Sequence, residues 1–364
     1  MSRHLRRHVG QLVMAGFRGK TVPDDLRALA REFDLGGAVL FDRNIEAPEQ
    51  VAELAYEVQA LGQESPLWVS VDQEGGRVAR LREPFTVWPA MNSLGRCGDV
   101  ALARRFATAL ARELKAVGIS LDYAPVLDVH TNSRNPVIGD RALSEKADDV
   151  ARLGAAIVEG LQAEGVAACG KHFPGHGDTN ADSHTELPVV EHPPERLREV
   201  ELVPFREAIA RGVASIMTAH VLYPALDEVR PATLSHTIVT ELLREELGFN
   251  GIVATDDMSM AAISGDRSQE SATVDAIRAG CDLVLLCTPD VEGQVRAIEA
   301  VIRAVENEEL PATRIDDALG RNQSVKRRFI SDVRGKRPLS GRALDAVLNC
   351  EDHNAVAEEM RRYV

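Results

Sequence analysis

Fourteen residues carry the densest chemistry in the chain. Lys171-His172-Phe173-Pro174-Gly175-His176-Gly177-Asp178-Thr179-Asn180-Ala181-Asp182-Ser183-His184 holds three histidines and two aspartates. Such a set can bind a metal, build a structural loop or move protons. For a metal, the spacing matches neither HExxH nor a closed tetrahedral pattern. A structural loop, with glycine and proline setting turns and polar groups capping one another, suits His176 and Asp178. Proton transfer suits Asp182 and His184. Two apart on a loop, the carboxylate can accept from one imidazole nitrogen, fix the tautomer and leave the other nitrogen to give or take a proton.

A second pair, Asp256-Asp257, closes the apolar run Gly251–Asp256. An ionised carboxylate there can attack an electrophilic carbon or ligate a metal. Side chains alternate along a strand, so one of the two is expected to face a site and the other to cap the next helix. Other runs also end in ionisable groups: Asp72-Gln73-Glu74-Gly75-Gly76-Arg77 after one, Asp128 after another, and Thr218-Ala219-His220 at a third. Charged ends on apolar strands are costly unless paired or hydrated. Five strands that end this way together point to one shared site rather than five separate rim salt bridges.

The elements that must position these groups repeat along the chain. Short aliphatic runs lie at Leu12–Phe17, Gly37–Phe41, Leu67–Asp72, Ile119–Pro125, Ala167–His172, Ser215–His220, Gly251–Asp256 and Asp282–Cys287. They read as buried parallel strands. Helical periods fall between them at Pro48–Gln63, Val100–Val117, Ala147–Glu164, Pro193–Arg211, Thr237–Leu247 and Val291–Val305. Eight runs alternating with helices predict an α/β fold, a (β/α)8 TIM-like barrel. The competing open doubly wound sheet lacks its GxGxxG turn here. The expected organisation is one barrel over residues 1–330 with a C-terminal helical extension, 331–364, packed on it. Residues beyond about Pro311 are expected to be helices outside the strands.

Composition narrows the function. The 364 residues carry 42 basic and 56 acidic side chains, a net charge of −14. Nucleic acid and anionic membrane surfaces are poor partners for that balance. Five cysteines without a CxxC pair argue against a disulfide framework and a zinc ribbon. Arg3, Arg6 and Arg7 precede an apolar run, but Gly10 and Gln11 break it, and no run reaches the ~18 apolar residues of a membrane span. A soluble, cytoplasmic protein is expected.

Longer motifs are also present. Leu242-Leu243-Arg244-Glu245-Glu246-Leu247-Gly248-Phe249-Asn250-Gly251-Ile252-Val253-Ala254-Thr255-Asp256-Asp257-Met258-Ser259 resembles the active-site signature of family-3 glycoside hydrolases. Lys171 to Thr179 followed by Asp182-Ser183-His184 is similar to the single-domain bacterial β-N-acetylhexosaminidase branch. Val71-Asp72-Gln73-Glu74-Gly75-Gly76-Arg77-Val78-Ala79-Arg80 and Ile138-Gly139-Asp140-Arg141 match as well, although Ala142-Leu143 follows where that branch more often has Ser-Phe. The resemblance runs from Leu12 to Cys287. It implies Asp256 as nucleophile, His184 as general acid/base and Asp182 as its partner. It also implies that Asp72, Arg80, Arg141, Lys171 and His172 bind the sugar. A second α/β domain of ~200 residues, which delivers the acid in other relatives, has no room beside a barrel in this length, so the acid is expected from the barrel's own loop.

The resemblance implies a retaining exo-β-N-acetylglucosaminidase that needs no metal or organic cofactor. Its expected partner is a small carbohydrate, a GlcNAc-containing muropeptide from peptidoglycan recycling. Three alternatives stand beside it: a phosphorylase or broader β-glycosidase of the same family, a metal-dependent hydrolase using the His/Asp loop, and a sugar-binding barrel without catalysis.

Overall fold

The computed structural model describes every residue except 1–2, 184, 265–266 and 331–335. Eight parallel strands close a barrel: β1 (Val13–Gly16), β2 (Gly37–Leu40), β3 (Trp68–Val71), β4 (Leu121–Asp122), β5 (Ala167–Phe173), β6 (Ser215–Thr218), β7 (Ile252–Asp257) and β8 (Leu283–Leu286). Neighbours around the barrel are neighbours in sequence, and β8 pairs with β1. All eight aliphatic runs therefore form strands, though β4 keeps only two residues of its run.

Alternation sorts the strand side chains into two layers. Met14, Val39, Trp68, Leu121, Cys169, Met217, Ala254 and Leu285 pack together inside the barrel. Val13, Ala38, Val69, Ala168, Ile216, Val253 and Val284 belong to the larger core under the helices. Past the strand ends, Asp72 and Lys171 meet in an ion pair at the barrel mouth, and Asp256 lies beside His172 and Lys171. The pairing of β7 with β8 is irregular after Ala254, where Asp257 comes into register with Leu285.

A short antiparallel hairpin, Gln73–Gly75 with Val78–Ala79, extends β3 over that mouth. Gln73 Oε1 accepts from the Arg80 and Leu81 N–H groups at 2.8 and 2.9 Å. The turn is made by Gly75 at φ +109° and Gly76 at φ +57°. Backbone in this region favours glycine, and a Cβ on Gly75 would sit 2.7 Å from Met91 Cε.

Helices fill the connections, with differences from the sequence reading. Asp24–Phe33 and Gln269–Ala279 are helices that the reading omitted. The helix expected over Pro193–Arg211 is broken. Leu202 N bonds Leu197 O at 2.9 Å in a wide five-residue turn, and a new helix starts at Val203. Pro204 has no N–H to continue the ladder there.

Helix Ala312–Phe329 closes the opposite end of the barrel. Trp68 Nε1 donates to Asn322 Oδ1 at 2.9 Å, and Asn322 Nδ2 donates to Gln11 O at 2.9 Å. Ile330 joins the inner cluster. Helix Glu351–Arg361 docks through Glu113, a buried carboxylate on helix Val100–Ala116. Glu113 accepts from Thr86 N at 3.0 Å, Thr86 Oγ1 at 2.6 Å and Asn349 N at 2.7 Å, and lies 3.0 Å from His353 Nδ1. One side chain thus ties the last helix to the segment after Arg80.

Glu113→Ala strands several buried donors at once. Chemical denaturation should show a loss of about 3 kcal/mol in unfolding free energy. An unchanged midpoint would mean that the last helix is held by apolar packing alone.

Candidate active site

The strand ends bring Asp72, Lys171 and Asp256 to one mouth, and the hairpin adds Glu74 and Arg80. Lys171 is buried, with Nζ 2.8 Å from Asp72 Oδ1 and 2.7 Å from Glu74 Oε1. Arg141 meets Glu74 side-on: Nε to Oε2 at 2.9 Å and Nη2 to Oε1 at 2.8 Å. Two cations and two carboxylates thereby neutralise one another. Burial would raise the Glu74 carboxyl, but Lys171 and Arg141 hold it far below the usual range. Burial would lower Lys171, but Asp72 and Glu74 hold it well above the ordinary lysine value. Arg80 Nη2 lies 3.5 Å from Asp72 Oδ2, with its guanidinium 5.6 Å from the Phe41 ring centroid.

Behind the hairpin, Asp122 Oδ1 accepts from Gln73 N at 2.9 Å. Burial pushes the Asp122 carboxyl well up. Asp122 thus braces the start of the hairpin from behind the site.

His172 is held from behind by Asp128. The carboxylate accepts from His172 N at 3.2 Å, and its Oδ2 lies 2.7 Å from His172 Nδ1. Asp128 is fully buried, and His172 and His176 hold its carboxyl low against the effect of burial. A carboxylate only accepts, so His172 Nδ1 carries the hydrogen and Nε2 is left for a ligand.

Asp256 and Asp257 have separate partners. Asp257 is occupied: it accepts from Ser259 N at 3.1 Å, Ser259 Oγ at 2.6 Å and Cys287 N at 3.2 Å. Asp256 accepts from the Asp257 N–H at 2.8 Å. Burial opposes its ionisation; His220, His172, the Asp257 N–H and Lys171 favour it more, so it titrates below the ordinary carboxylate range. His220 Nε2 lies 3.1 Å from the Asp257 carbonyl and therefore donates to it.

Of the predicted site residues, Asp72, Arg80, Arg141 and Lys171 are linked through Glu74 and one another, and His172 and Lys171 lie near Asp256. Asp182 lies on the loop after β5, with its carbonyl accepting from Thr185 N at 2.9 Å and Glu186 N at 3.1 Å. His184 lies outside the described residues. The sequence reading gave no role to Glu74, Asp128 or His220. Each stood in a quoted strand-end segment, and position after an apolar run was the signal available. Among the described residues, no group of three His, Cys, Asp or Glu side chains is arranged to hold a metal ion. Nor, among them, is any helix long and apolar enough to cross a membrane.

Residues 4–325 match the family described as Glycosyl hydrolase family 3 N terminal domain. The chain belongs to glycoside hydrolase family 3. This family-3 chain is 41% identical over 285 residues to a protein named Beta-hexosaminidase from Nitrosomonas eutropha, covering 76% of this chain and 81% of that one. It is 42% identical over 287 residues to Beta-hexosaminidase A of Pseudoalteromonas piscicida, with 73% of this chain matched, but it spans only 48% of that longer protein. Solved structures share its fold, two of them as follows. A family-3 β-N-acetylglucosaminidase from Paenibacillus sp. str. FPU-7 superposes with a TM-score of 0.93 at 45% identity, over 98% of this chain and 68% of that one. NagZ from Neisseria gonorrhoeae, in complex with N-trifluoroacetyl-D-glucosamine, superposes with a TM-score of 0.80 at 33% identity, over 97% of each chain.

The buried charge cluster sets two expectations for Glu74→Gln. Leaving Lys171 and Arg141 short of a counter-charge should cost about 3–5 kcal/mol of stability in denaturant melts. The sign against pH follows from the shifts. The Glu74 contribution is present above the ordinary value of 4.5 and is lost only as pH falls through its much lower folded value. The Lys171 contribution is present below 10.5 and is lost only as pH rises through its higher folded value. The cost should therefore stay constant from about pH 5 to about pH 9. A cost that changes across that window would contradict the charged cluster.

Proposed function

We propose that the chain is a retaining exo-β-N-acetylglucosaminidase. It removes terminal β-linked N-acetylglucosamine through a covalent glycosyl-Asp256 intermediate. The observation that carries this reading is Asp256, kept charged beside the Asp72–Lys171–Glu74–Arg141 cluster. Its β-hexosaminidase relatives and the β-N-acetylglucosaminidase neighbour support the choice of sugar.

In this reading the sugar lies across the mouth. Asp72 accepts from two hydroxyls, while Lys171, Arg80 and the outer hydrogens of Arg141 donate. His172 Nε2 faces a further hydroxyl, its ring orientation set by Asp128. Asp256 attacks the anomeric carbon from below as the glycosidic bond breaks. His184 gives its proton to the leaving oxygen, then takes one from water as the second displacement restores the β configuration. Asp182 orients His184 and supports its imidazolium. The histidine acid avoids a second carboxylate's repulsion near the nucleophile.

The substrate class we infer is a muropeptide from peptidoglycan recycling, and a cytoplasmic reaction is part of that reading. Both extend the family resemblance.

Turnover of a chromogenic β-N-acetylglucosaminide, beside the matching β-glucoside, tests the reaction class. Wild type should prefer the N-acetyl substrate. Asp256→Ala should fall to background while remaining folded. Asp257→Ala, which loses a brace for Ser259 and Cys287, should keep measurable activity. A dead Asp257→Ala with an active Asp256→Ala would reverse the assignment. Added phosphate should leave the product as free sugar; a sugar phosphate would make the chain a phosphorylase.

A further inference from the structure

His176 lies at the root of the loop that leads to Asp182 and His184, and the mechanism above gives it no task. It is 2% exposed. Its main-chain N–H donates to Asp128 Oδ1 at 2.6 Å, on the same carboxylate that holds His172. Its ring reaches forward along the loop. Nδ1 lies 2.8 Å from Thr179 Oγ1, and Nε2 lies 3.2 Å from Ser183 Oγ.

Thr179 Oγ1 lies 3.2 Å from the His176 carbonyl and accepts from Asn135 Nδ2 at 3.1 Å, which also donates to that carbonyl at 2.8 Å. A neutral imidazole has one donor and one acceptor nitrogen, and the two hydroxyls can serve either, so both tautomers keep both ring contacts. Burial and the neighbouring His172 favour that neutral form, and His176 titrates down at about 4. Thr179 and Ser183 are buried as well. One ring thus fastens the loop at 176, 179 and 183, the last being the residue between the acid/base pair.

We propose that His176 is a positioning residue for the acid/base pair: its ring, hydrogen-bonded to Thr179 and Ser183, sets the approach of Asp182 and His184 to the leaving oxygen. It touches neither the substrate nor the reacting atoms. The proposal rests on the assignment of Asp182 and His184 given above. Through Asp128 the same clamp is joined to His172, so sugar binding and acid delivery share one buried anchor.

The test is leaving-group dependence, which a merely structural role would not move. His176→Ala should lower kcat/KM about 100-fold for an alkyl or sugar β-N-acetylglucosaminide. For a nitrophenyl substrate, which needs little acid help, the loss should stay within about 5-fold. Ser183→Ala removes one contact without disturbing the ring and should cost about 10-fold on the poor leaving group alone. Ser183→Thr restores the hydroxyl and should recover most of it. The double variant should be no worse than His176→Ala, since both act through one clamp.

Equal losses on both substrates, or a Ser183→Ala enzyme at wild-type rates on the poor leaving group, would overturn the proposal. If His176→Ala fails to fold, the two Ser183 variants carry the test. His184→Ala separates the two levels of the account. A steep leaving-group effect there with none in the clamp variants defeats only the clamp. A flat effect in His184→Ala defeats the acid assignment itself.

Discussion

Lys171 is a buried cation, and the mouth of the barrel is organised around satisfying it. Moving an ammonium out of water costs several kcal/mol unless counter-charges meet it with good geometry. Asp72, at the end of β3, and Glu74, on the hairpin, supply them at 2.8 and 2.7 Å. Glu74 in turn requires Arg141, from the segment after β4. Three strand ends are thereby pulled to one point, and each partner's position is set by the others. Glu74 sits on the first strand of the hairpin, just before the turn at Gly75 and Gly76. What emerges is a rigid array of donors and acceptors, preorganised as polyol binding requires.

A second buried carboxylate does similar work one step away. Asp128 collects the main-chain N–H of His172, the main-chain N–H of His176 and lies against His172 Nδ1. It joins the end of β5 at His172 to the start of the loop at His176. Asp256 lies beside His220, His172 and Lys171, which favour its anion more than burial opposes it. In the mechanism we propose, the nucleophile therefore sits on a strand and the acid on a loop held by side-chain hydrogen bonds.

Much of this was legible in the residue order, for physical reasons. Buried parallel strands must be short, apolar and bounded by breakers, so all eight runs could be found. Alternation puts Val253 under the helices and Ala254 inside the barrel, while the irregular register after Ala254 is a feature that the residue order does not report. Other features depend on distance in space. Glu74 and Asp128 act only because β3, β4 and β5 are adjacent, and no local pattern reports that. The break at Leu197–Glu201 has a local cue in Pro204, which sits inside the helical period. The task of His176 required knowing that Thr179 and Ser183 turn back onto its ring.

The central claim is the covalent bond between the sugar and Asp256. The most direct measurement is mass spectrometry of the protein after incubation with an activated fluoro-N-acetylglucosaminide, whose second displacement is slow, followed by mapping of the labelled peptide. One sugar adduct per chain is expected, borne by Asp256 and absent from Asp256→Ala. An adduct on Asp257 or on any other side chain, or full turnover with no adduct at all, would contradict it.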